Sequence, residues 1–194
     1  MIGYAEMADW QQGWWAGALR RSSPNFSPRP AGEAVSLVVI HNISLPPFVY
    51  GGDAVEALFT NRIAADEANP FLRSLTALRV SSHFLVRRCG AVLQFVSCDD
   101  MAFHAGISHF RGRSGCNAFS VGIELEGCDF EPFTSAQYAA LLNLLAAIGS
   151  VYPVAAVCGH QHIAPGRKSD PGHFFDWPRL QQAGLPLDLS VQAA

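Results

Sequence analysis

The sequence predicts a single α/β domain in which helices flank one β-sheet of mixed strand direction. Its 194 residues correspond to about one domain, and 49% of them are apolar, which is enough to form a sizeable core. Short β-branched runs and amphipathic helices follow one another without the strict repeat of an all-parallel sheet. We therefore expect one domain over residues 1–194, with an extended lead-in at 1–30 and a C-terminal tail at 178–194.

Five apolar segments are typical of strands. The first is β-branched and apolar on both faces, as in a central strand. The second and third flank a turn that contains Gly90, which predicts a hairpin. The fourth alternates in polarity, and the fifth is a short buried run. In chain order, these segments cover residues 35–40, 82–86, 92–96, 121–126 and 154–158.

Capping boxes predict the starts of two helices. A capping box at Asp53 predicts a helix that reaches about residue 61. A second one, formed by Thr134 and Gln137, predicts a longer helix, whose apolar residues recur at the spacing of one helix face. We expect Gly149 to end this second helix.

Composition and charge exclude several classes of protein. The formal net charge is −3, from 13 basic and 16 acidic residues, so no basic face for a nucleic-acid partner is expected. The five cysteines are odd in number and lack C-x-x-C spacing, which favours a reducing compartment over a disulfide framework. The N-terminus lacks a basic and then apolar leader, and no apolar run is long enough to span a bilayer. We expect a cytoplasmic protein with no membrane contact and no obligate protein partner.

Two histidines each follow a predicted strand. His41 comes directly after the first strand, and His160 follows the last one and Gly159. Polar groups at the carboxyl ends of strands are where α/β sheets place sites, although two unrelated loop histidines fit this pattern equally well. Together with Asp170, two histidines would give three zinc ligands and an open fourth position. Spacing alone leaves His160 and His162 both as candidates.

Lys168 and Glu124 are candidates for catalysis near such a site. Lys168 is the only lysine among the 13 basic residues, which suggests a need for a compact ammonium that could stabilise an oxyanion. Glu124 and Glu126 share one face of a predicted strand, where a carboxylate could act as a general base. We expect this role for Glu124 and a solvated position for Glu126.

At this point the chain resembles the zinc amidases of the AmpD type, which are N-acetylmuramoyl-L-alanine amidases of the peptidoglycan-recognition superfamily. The resemblance runs in register from about residue 13 to 177, and it implies the amidase fold of that superfamily over one domain. The motifs that carry it are GWWAGALRRSSPNFSPRP, VVIHNISLPP with a following GG, LRVSSHFLVRRCG, HAG, RGRSGCNAFSVGIELEG, and GHQHIAPGRKSDPG with FDW.

The resemblance implies a role for each residue of the site. It assigns one Zn²⁺ to His41, His160 and Asp170, and it thereby selects His160 over His162. It makes Glu124 the catalytic glutamate, which would take a proton from the attacking water and pass it to the leaving amine. It makes Lys168 the catalytic lysine, which would stabilise the oxyanion.

Four further residues are expected to contact the substrate: Asn42, Arg79, His104 and Arg113. Arg79 would pair with a carboxylate of the stem peptide. Gly115 stands where cytoplasmic members tend to carry an arginine, so either one carboxylate contact is missing or Arg113 supplies it. Phe103 and His162 also depart from the residues usual at their positions, which concerns substrate preference more than catalysis.

The implied reaction is hydrolysis of the amide between the lactyl group of N-acetylmuramic acid and L-alanine. For the cytoplasmic branch, the substrates are 1,6-anhydro-muropeptides of cell-wall recycling. Two alternatives remain at this stage. One is a periplasmic or phage-type amidase that acts on intact peptidoglycan, and the other is a non-catalytic peptidoglycan-binding module of the same fold.

Overall fold

The computed structural model describes residues 9–191, which contain short strands at the N-terminus and longer elements in the middle. The strands are β1 (Trp10–Gln11), β2 (Trp14–Trp15), β3 (Leu19–Arg20), β4 (Phe26–Pro28), β5 (Leu37–Ile43), β6 (Phe84–Val86), β7 (Val92–Gln94), β8 (Asp100–Ala102), β9 (His109–Phe110), β10 (Arg113–Ser114), β11 (Ser120–Glu126) and β12 (Ala156–Gly159). The helices are α1 (Ala54–Phe59), α2 (Pro70–Ser74), α3 (Ser135–Val151), α4 (His160–Ile163) and α5 (Trp177–Gln182). A 3₁₀ turn covers Cys116–Phe119.

A six-stranded sheet with the order β12-β5-β11-β6-β7-β3 forms the centre of the fold. β5 runs parallel to both β11 and β12, and β11 runs parallel to β6. β6 and β7 form the predicted antiparallel hairpin, whose turn contains Gly90 at a φ of +87°. The sheet is therefore of mixed direction, as the sequence predicts.

Helical segments cover both faces of the central strands. Val38 and Ile40 of β5 belong to the same core cluster as the apolar side of α3. Leu37 and Val39 point to the opposite face and pack with the 3₁₀ turn and with Ile163 of α4. Alternate residues of β5 thus enter two separate cores, which explains why this strand is apolar on both faces.

The two predicted helices form, but not all of their predicted ends are correct. Thr134 and Gln137 make both hydrogen bonds of the capping box that begins α3. The helix continues past Gly149 to Val151, because the chain first becomes extended at Tyr152, directly before Pro153. Asp53 precedes α1, but its side chain makes no capping hydrogen bond, so the predicted capping box there is wrong.

The predicted lead-in and tail both contain strand pairings: the lead-in supplies β3 and β4, and the tail adds a β-bridge to the central sheet. β3 forms one edge of the central sheet, and β4 pairs with β8. The tail begins within α5 and then adds a bridge between Leu187 and Val157 at the other edge. Residues 1–8 of the lead-in and 192–194 of the tail lie outside the described residues. No helix among residues 9–191 combines the length and apolar character needed to cross a membrane.

Glu126 is buried, and the expectation that it is solvated is wrong. Its side chain is almost inaccessible (2% relative exposure) and forms an ion pair with Arg87 at 3.1 Å. Its carboxylate also accepts hydrogen bonds from the backbone N–H groups of Gly51 and Arg88. These three partners satisfy the buried charge, and they tie the loop before α1 to the hairpin turn.

We predict that Thr134→Ala lowers the free energy of unfolding by about 1 kcal/mol, because it removes the side-chain acceptor at the start of α3. The variant also loses the hydrogen bond from Thr134 to the backbone oxygen of Arg88. Urea denaturation measures the change. Ser135→Ala, at the neighbouring exposed position, is the matched control and should change stability little. Equal effects of the two substitutions would contradict the role of the cap.

Candidate metal centre

His41 and Glu124 lie side by side on the two central strands. In the parallel pairing of β5 with β11, His41 is the direct partner of Glu124. Both side chains point to the face of the sheet on which Leu37 and Val39 lie, because side chains alternate between the two faces along a strand. His41 is 1% exposed and Glu124 is 8% exposed. The sheet therefore places an imidazole next to a carboxyl group in a nearly water-free setting.

His160 and Asp170 reach the same place from the other side of β5. β12 pairs with β5 so that Gly159 lies opposite Ile40, and His160 follows at the first position of α4. The chain then returns through a loop, which a backbone hydrogen bond from Gln161 to Asp170 closes at 2.9 Å. This loop brings the carboxylate of Asp170 against both histidines.

Three ligand atoms of these residues form a compact triangle. Nδ1 of His41, Nδ1 of His160 and Oδ2 of Asp170 are each 3.0 Å from the other two. This trio is able to hold a metal ion, and it is the set that the sequence resemblance selects. His162 stays outside the triangle, since its Nδ1 accepts a hydrogen bond from the backbone N–H of Gly159.

The protonation states of the triangle suit a cation. Burial, together with the neighbouring His160, lowers the pKa of His41 to about 4, so this imidazole is neutral at pH 7. Burial raises the pKa of Asp170, and a proton on Nδ1 of either histidine would hydrogen-bond to its carboxylate and lower that pKa below the ordinary range; a cation in the triangle would take the place of such a proton. Metal ligands must be deprotonated to bind, and these two groups are in that form at neutral pH.

Glu124 is a buried carboxyl group with an unused oxygen. Its Oε2 is shielded from solvent and has no hydrogen-bond partner among residues 9–191. Burial raises the pKa of Glu124 well above its ordinary value, the negative charge of Asp170 raises it further, and Lys168 opposes the shift. A raised pKa of this kind is what a carboxyl group needs in order to accept a proton and then return it.

A cleft of about 420 Å³ opens beside the triangle, and Asp170 is the member of the triangle that lines it. Its walls include two residues that the sequence singles out for the substrate and for catalysis, Asn42 and Lys168. The sequence prediction missed other lining residues, in particular Phe48, Asp129 and Phe130. Asn42 donates a hydrogen bond to Asp129 at 2.6 Å, a pairing between remote positions that no local pattern reveals.

Two arginines predicted to bind substrate are engaged elsewhere. Arg79 is exposed and donates to the backbone oxygens of Thr76 and Leu78. Arg113 forms an ion pair with Glu33 and lies over the ring of Phe119. Neither lines the cleft as the structure has it. Their contact with substrate remains a prediction that requires these side chains to change partners.

His104 lies behind His41 rather than in the cleft lining. Its Nδ1 is 2.9 Å from Nε2 of His41, and its Nε2 is 3.1 Å from Oγ of Ser120. Burial and the neighbouring histidines lower the pKa of His104 well below its ordinary value, so its ring is neutral. Both ring nitrogens have partners within the protein, so the contact of His104 with substrate remains a prediction.

Comparisons with known proteins show the family of this chain. The family model described as N-acetylmuramoyl-L-alanine amidase matches residues 31–173. The Escherichia coli protein 1,6-anhydro-N-acetylmuramyl-L-alanine amidase AmpD is 48% identical over 173 residues, which cover 88% of this chain and 94% of that protein. A crystal structure of a selenomethionine AmpD derivative has a TM-score of 0.86 at 47% identity and covers 89% of this chain and 97% of its own.

Two more distant structures were solved with ligands. A complex of the E. coli amidase AmiD with the substrate anhydro-N-acetylmuramic acid-L-Ala-D-γ-Glu-L-Lys has a TM-score of 0.58 at 30% identity, over 83% of this chain and 66% of that one. Human PGRP-IBETAC, in complex with a glycosamyl muramyl pentapeptide, has a TM-score of 0.58 at 18% identity over 84% of this chain and 97% of that one, and it shows a shared fold alone. The expected peptidoglycan-recognition fold is thereby confirmed, and the chain belongs to the N-acetylmuramoyl-L-alanine amidase family.

Proposed function

We propose that this chain hydrolyses the amide between 1,6-anhydro-N-acetylmuramic acid and L-alanine in muropeptides, with one Zn²⁺ bound by His41, His160 and Asp170. The observation that carries the proposal is the buried carboxyl group of Glu124, whose Oε2 has no hydrogen-bond partner within residues 9–191, beside a triangle of three ligand atoms. The names of relatives at about 48% identity support this substrate class.

The ligand set fits zinc. Two imidazole nitrogens and one carboxylate oxygen are the ligands of many catalytic zinc sites, which keep the fourth position open. Around a tetrahedral Zn²⁺ with bonds of about 2.0–2.2 Å, neighbouring ligand atoms are about 3.3 Å apart. The observed separations of 3.0 Å need only a small expansion to reach this geometry.

The side chains around the triangle divide the chemistry of amide hydrolysis among them. Bound zinc would supply Lewis-acid polarisation and a lower pKa for water. Glu124 accepts the proton of the water that attacks the amide carbon, and it returns this proton to the nitrogen of L-alanine as the C–N bond breaks. Lys168, which lies on the cleft wall, offers its ammonium to the oxyanion of the tetrahedral intermediate.

The intact site favours an enzyme over a non-catalytic binding module, because the metal ligands and both proposed catalytic groups are all present. The overall likeness to AmpD favours soluble anhydro-muropeptides of cytoplasmic cell-wall recycling over intact wall. The muropeptide is the one partner that this proposal requires.

We predict that Glu124→Gln lowers kcat by about 10²–10⁴-fold and leaves Zn²⁺ bound, because the glutamine side chain cannot accept the proton of the attacking water. Mass spectrometry of products from a defined anhydro-muropeptide, with and without a chelator, measures the change, and purified sacculi form a second arm. Glu131→Gln, at an exposed position, is the control. Near-wild-type turnover by Glu124→Gln would exclude Glu124 as the base, and release of peptide from sacculi alone would favour the intact-wall amidase.

We predict that Glu124→Gln makes the metal-free chain more stable at pH 7. The pKa of Glu124 is raised in the folded state, so folding favours the protonated carboxyl group, and stability is lost as the pH rises above the ordinary value of 4.5. The neutral glutamine avoids this loss. Thermal unfolding in a chelator should therefore show a higher Tm for the variant at pH 7 and a much smaller difference at pH 4. The same difference at both pH values would contradict a charge penalty at this position.

We predict that Asp170→Ala abolishes stoichiometric Zn²⁺ binding, because it removes the anionic ligand of the triangle. Elemental analysis after dialysis against a limiting zinc concentration measures the occupancy. Asp129→Ala is the matched control, since Asp129 lines the same cleft but lies outside the triangle. Full occupancy in the Asp170 variant would show that the metal binds elsewhere.

A further inference from the structure

We infer that His104 is a positioning residue of the metal site, and that the short segment His104–Ala105 holds both ligand histidines in the tautomer that a metal requires. The inference rests on the metal site of the proposed function. It assigns to His104 a role in ligand geometry instead of a contact with substrate.

The tautomer of His160 is set by a backbone carbonyl group. Its Nε2 lies 3.0 Å from the oxygen of Ala105. A carbonyl oxygen can only accept, so Nε2 of His160 carries the ring proton; Arg167 Nη2, 3.4 Å from this nitrogen, donates instead to the closer oxygens of Ala105 and Ile107, at 2.8 and 2.6 Å. Its Nδ1, which faces His41 and Asp170, is therefore left with a free lone pair.

The tautomer of His41 is set by a chain of three hydrogen bonds. Ser120 donates its hydroxyl proton to the backbone oxygen of Cys116 at 2.6 Å. The oxygen of Ser120 is then free to accept from Nε2–H of His104 at 3.1 Å, which leaves Nδ1 of His104 as an acceptor. That nitrogen receives the Nε2 proton of His41 at 2.9 Å. Nδ1 of His41 consequently presents its lone pair to the metal position.

The segment itself is fixed from two sides. The side-chain oxygen of Asn117 accepts hydrogen bonds from the backbone N–H groups of His104 and Ala105, at 3.2 and 2.8 Å. Arg167, from the loop that carries Asp170, donates to the oxygen of Ala105 at 2.8 Å. The same segment is thus joined to the loop that supplies Asp170, one of the three proposed ligands.

Gly122 provides the space that the ring of His104 occupies. A Cβ atom on Gly122 would lie only 2.5 Å from Cγ of His104, which is far inside the contact distance. Gly122 is two residues before Glu124 on β11 and shares its face of the sheet. The absence of a side chain at this one position lets the ring of His104 pack directly on the strand and reach His41.

These contacts matter because a proton on either Nδ1 would block the site. Partners of the second nitrogen of a ligand histidine hold its orientation and raise its basicity, and their loss typically weakens metal binding about 10–100-fold. Here one segment provides this partner for both histidines, through a side chain for His41 and a main-chain oxygen for His160.

The test measures Zn²⁺ affinity by competition with a chromophoric chelator, using the full chain. We expect His104→Ala to weaken Zn²⁺ binding about 10–100-fold. His104→Asn, whose side-chain oxygen can replace Nδ1 as acceptor, should restore affinity to within about threefold of wild type. The Tm of each metal-free variant separates loss of the metal site from general loss of structure. Unchanged Zn²⁺ affinity in His104→Ala, with a raised KM for the muropeptide, would overturn the inference in favour of a substrate contact.

Ser120→Ala gives a second test that touches neither a ligand nor the cleft. We expect weaker Zn²⁺ binding here as well, because His104 loses the acceptor that keeps its proton on Nε2. Long-range ¹H–¹⁵N NMR spectra of the Zn²⁺-loaded wild-type chain should show His104 neutral and protonated on Nε2. A proton on Nδ1 of His104 would overturn the inference even if the His104 variants fail to fold.

Different results would exclude this inference and the proposed function. If the wild-type chain binds no Zn²⁺, or binds it and releases no peptide from the anhydro-muropeptide, the proposed function fails. If the wild-type chain binds Zn²⁺ and is active, while the His104 and Ser120 variants keep its affinity, only the positioning role of His104 fails.

Discussion

His41 and Glu124 are direct partners on two parallel strands, β5 and β11, and the geometry of the site depends on that register. A slip of one residue in this pairing would turn either side chain to the opposite face, into the core beneath α3. The alternation of β5 residues between two packed cores makes such a slip costly, since every residue from Leu37 to Ile40 is fully buried. Hydrophobic packing of the strand thereby holds the imidazole of His41 next to the carboxyl group of Glu124. Attraction between these two side chains would not be enough to fix that arrangement.

Burial of the polar groups of the site is unfavourable for folding, and hydrophobic packing of the surrounding strands offsets this cost. Oε2 of Glu124 is buried without a hydrogen-bond partner in the described part of the chain, and His41 is neutral because it is buried. Two residues along β11, Glu126 is equally buried but has an arginine and two backbone N–H groups as partners. The contrast within one strand separates a carboxylate that stabilises two loops from one whose environment suits proton transfer.

The strand ends marked His41 and His160 as candidates because each follows an apolar run, whereas Asp170 and the choice of His160 over His162 came from the family resemblance; the structure brings these three side chains together, and their binding of a metal remains a prediction. The sequence predicted the start of α3 from a local pattern, since a capping box is a contact between residues three positions apart. The solvated position for Glu126 was wrong because alternation along a strand assumes that one face meets water, and β11 is covered on both faces. The end of α3 was wrong because Pro153, rather than Gly149, determines where the helix stops.

Contacts between remote side chains were beyond prediction from one sequence. The ion pair of Arg113 with Glu33 and the hydrogen bond between Asn42 and Asp129 join positions with no shared local pattern. The place of His104 between His41 and Ser120 is of the same kind, although Gly122 gives a local indication in retrospect. A glycine that interrupts a buried, β-branched strand often marks a close approach by another group, and here that group is an imidazole ring.

Anomalous diffraction at the zinc absorption edge, from crystals of the metal-loaded chain, tests the central claim most directly. The account predicts a single strong peak at about 2.0–2.2 Å from Nδ1 of His41, Nδ1 of His160 and a carboxylate oxygen of Asp170. A peak bound through either Nε2 atom, or a loaded crystal without a peak between these three side chains, would contradict it.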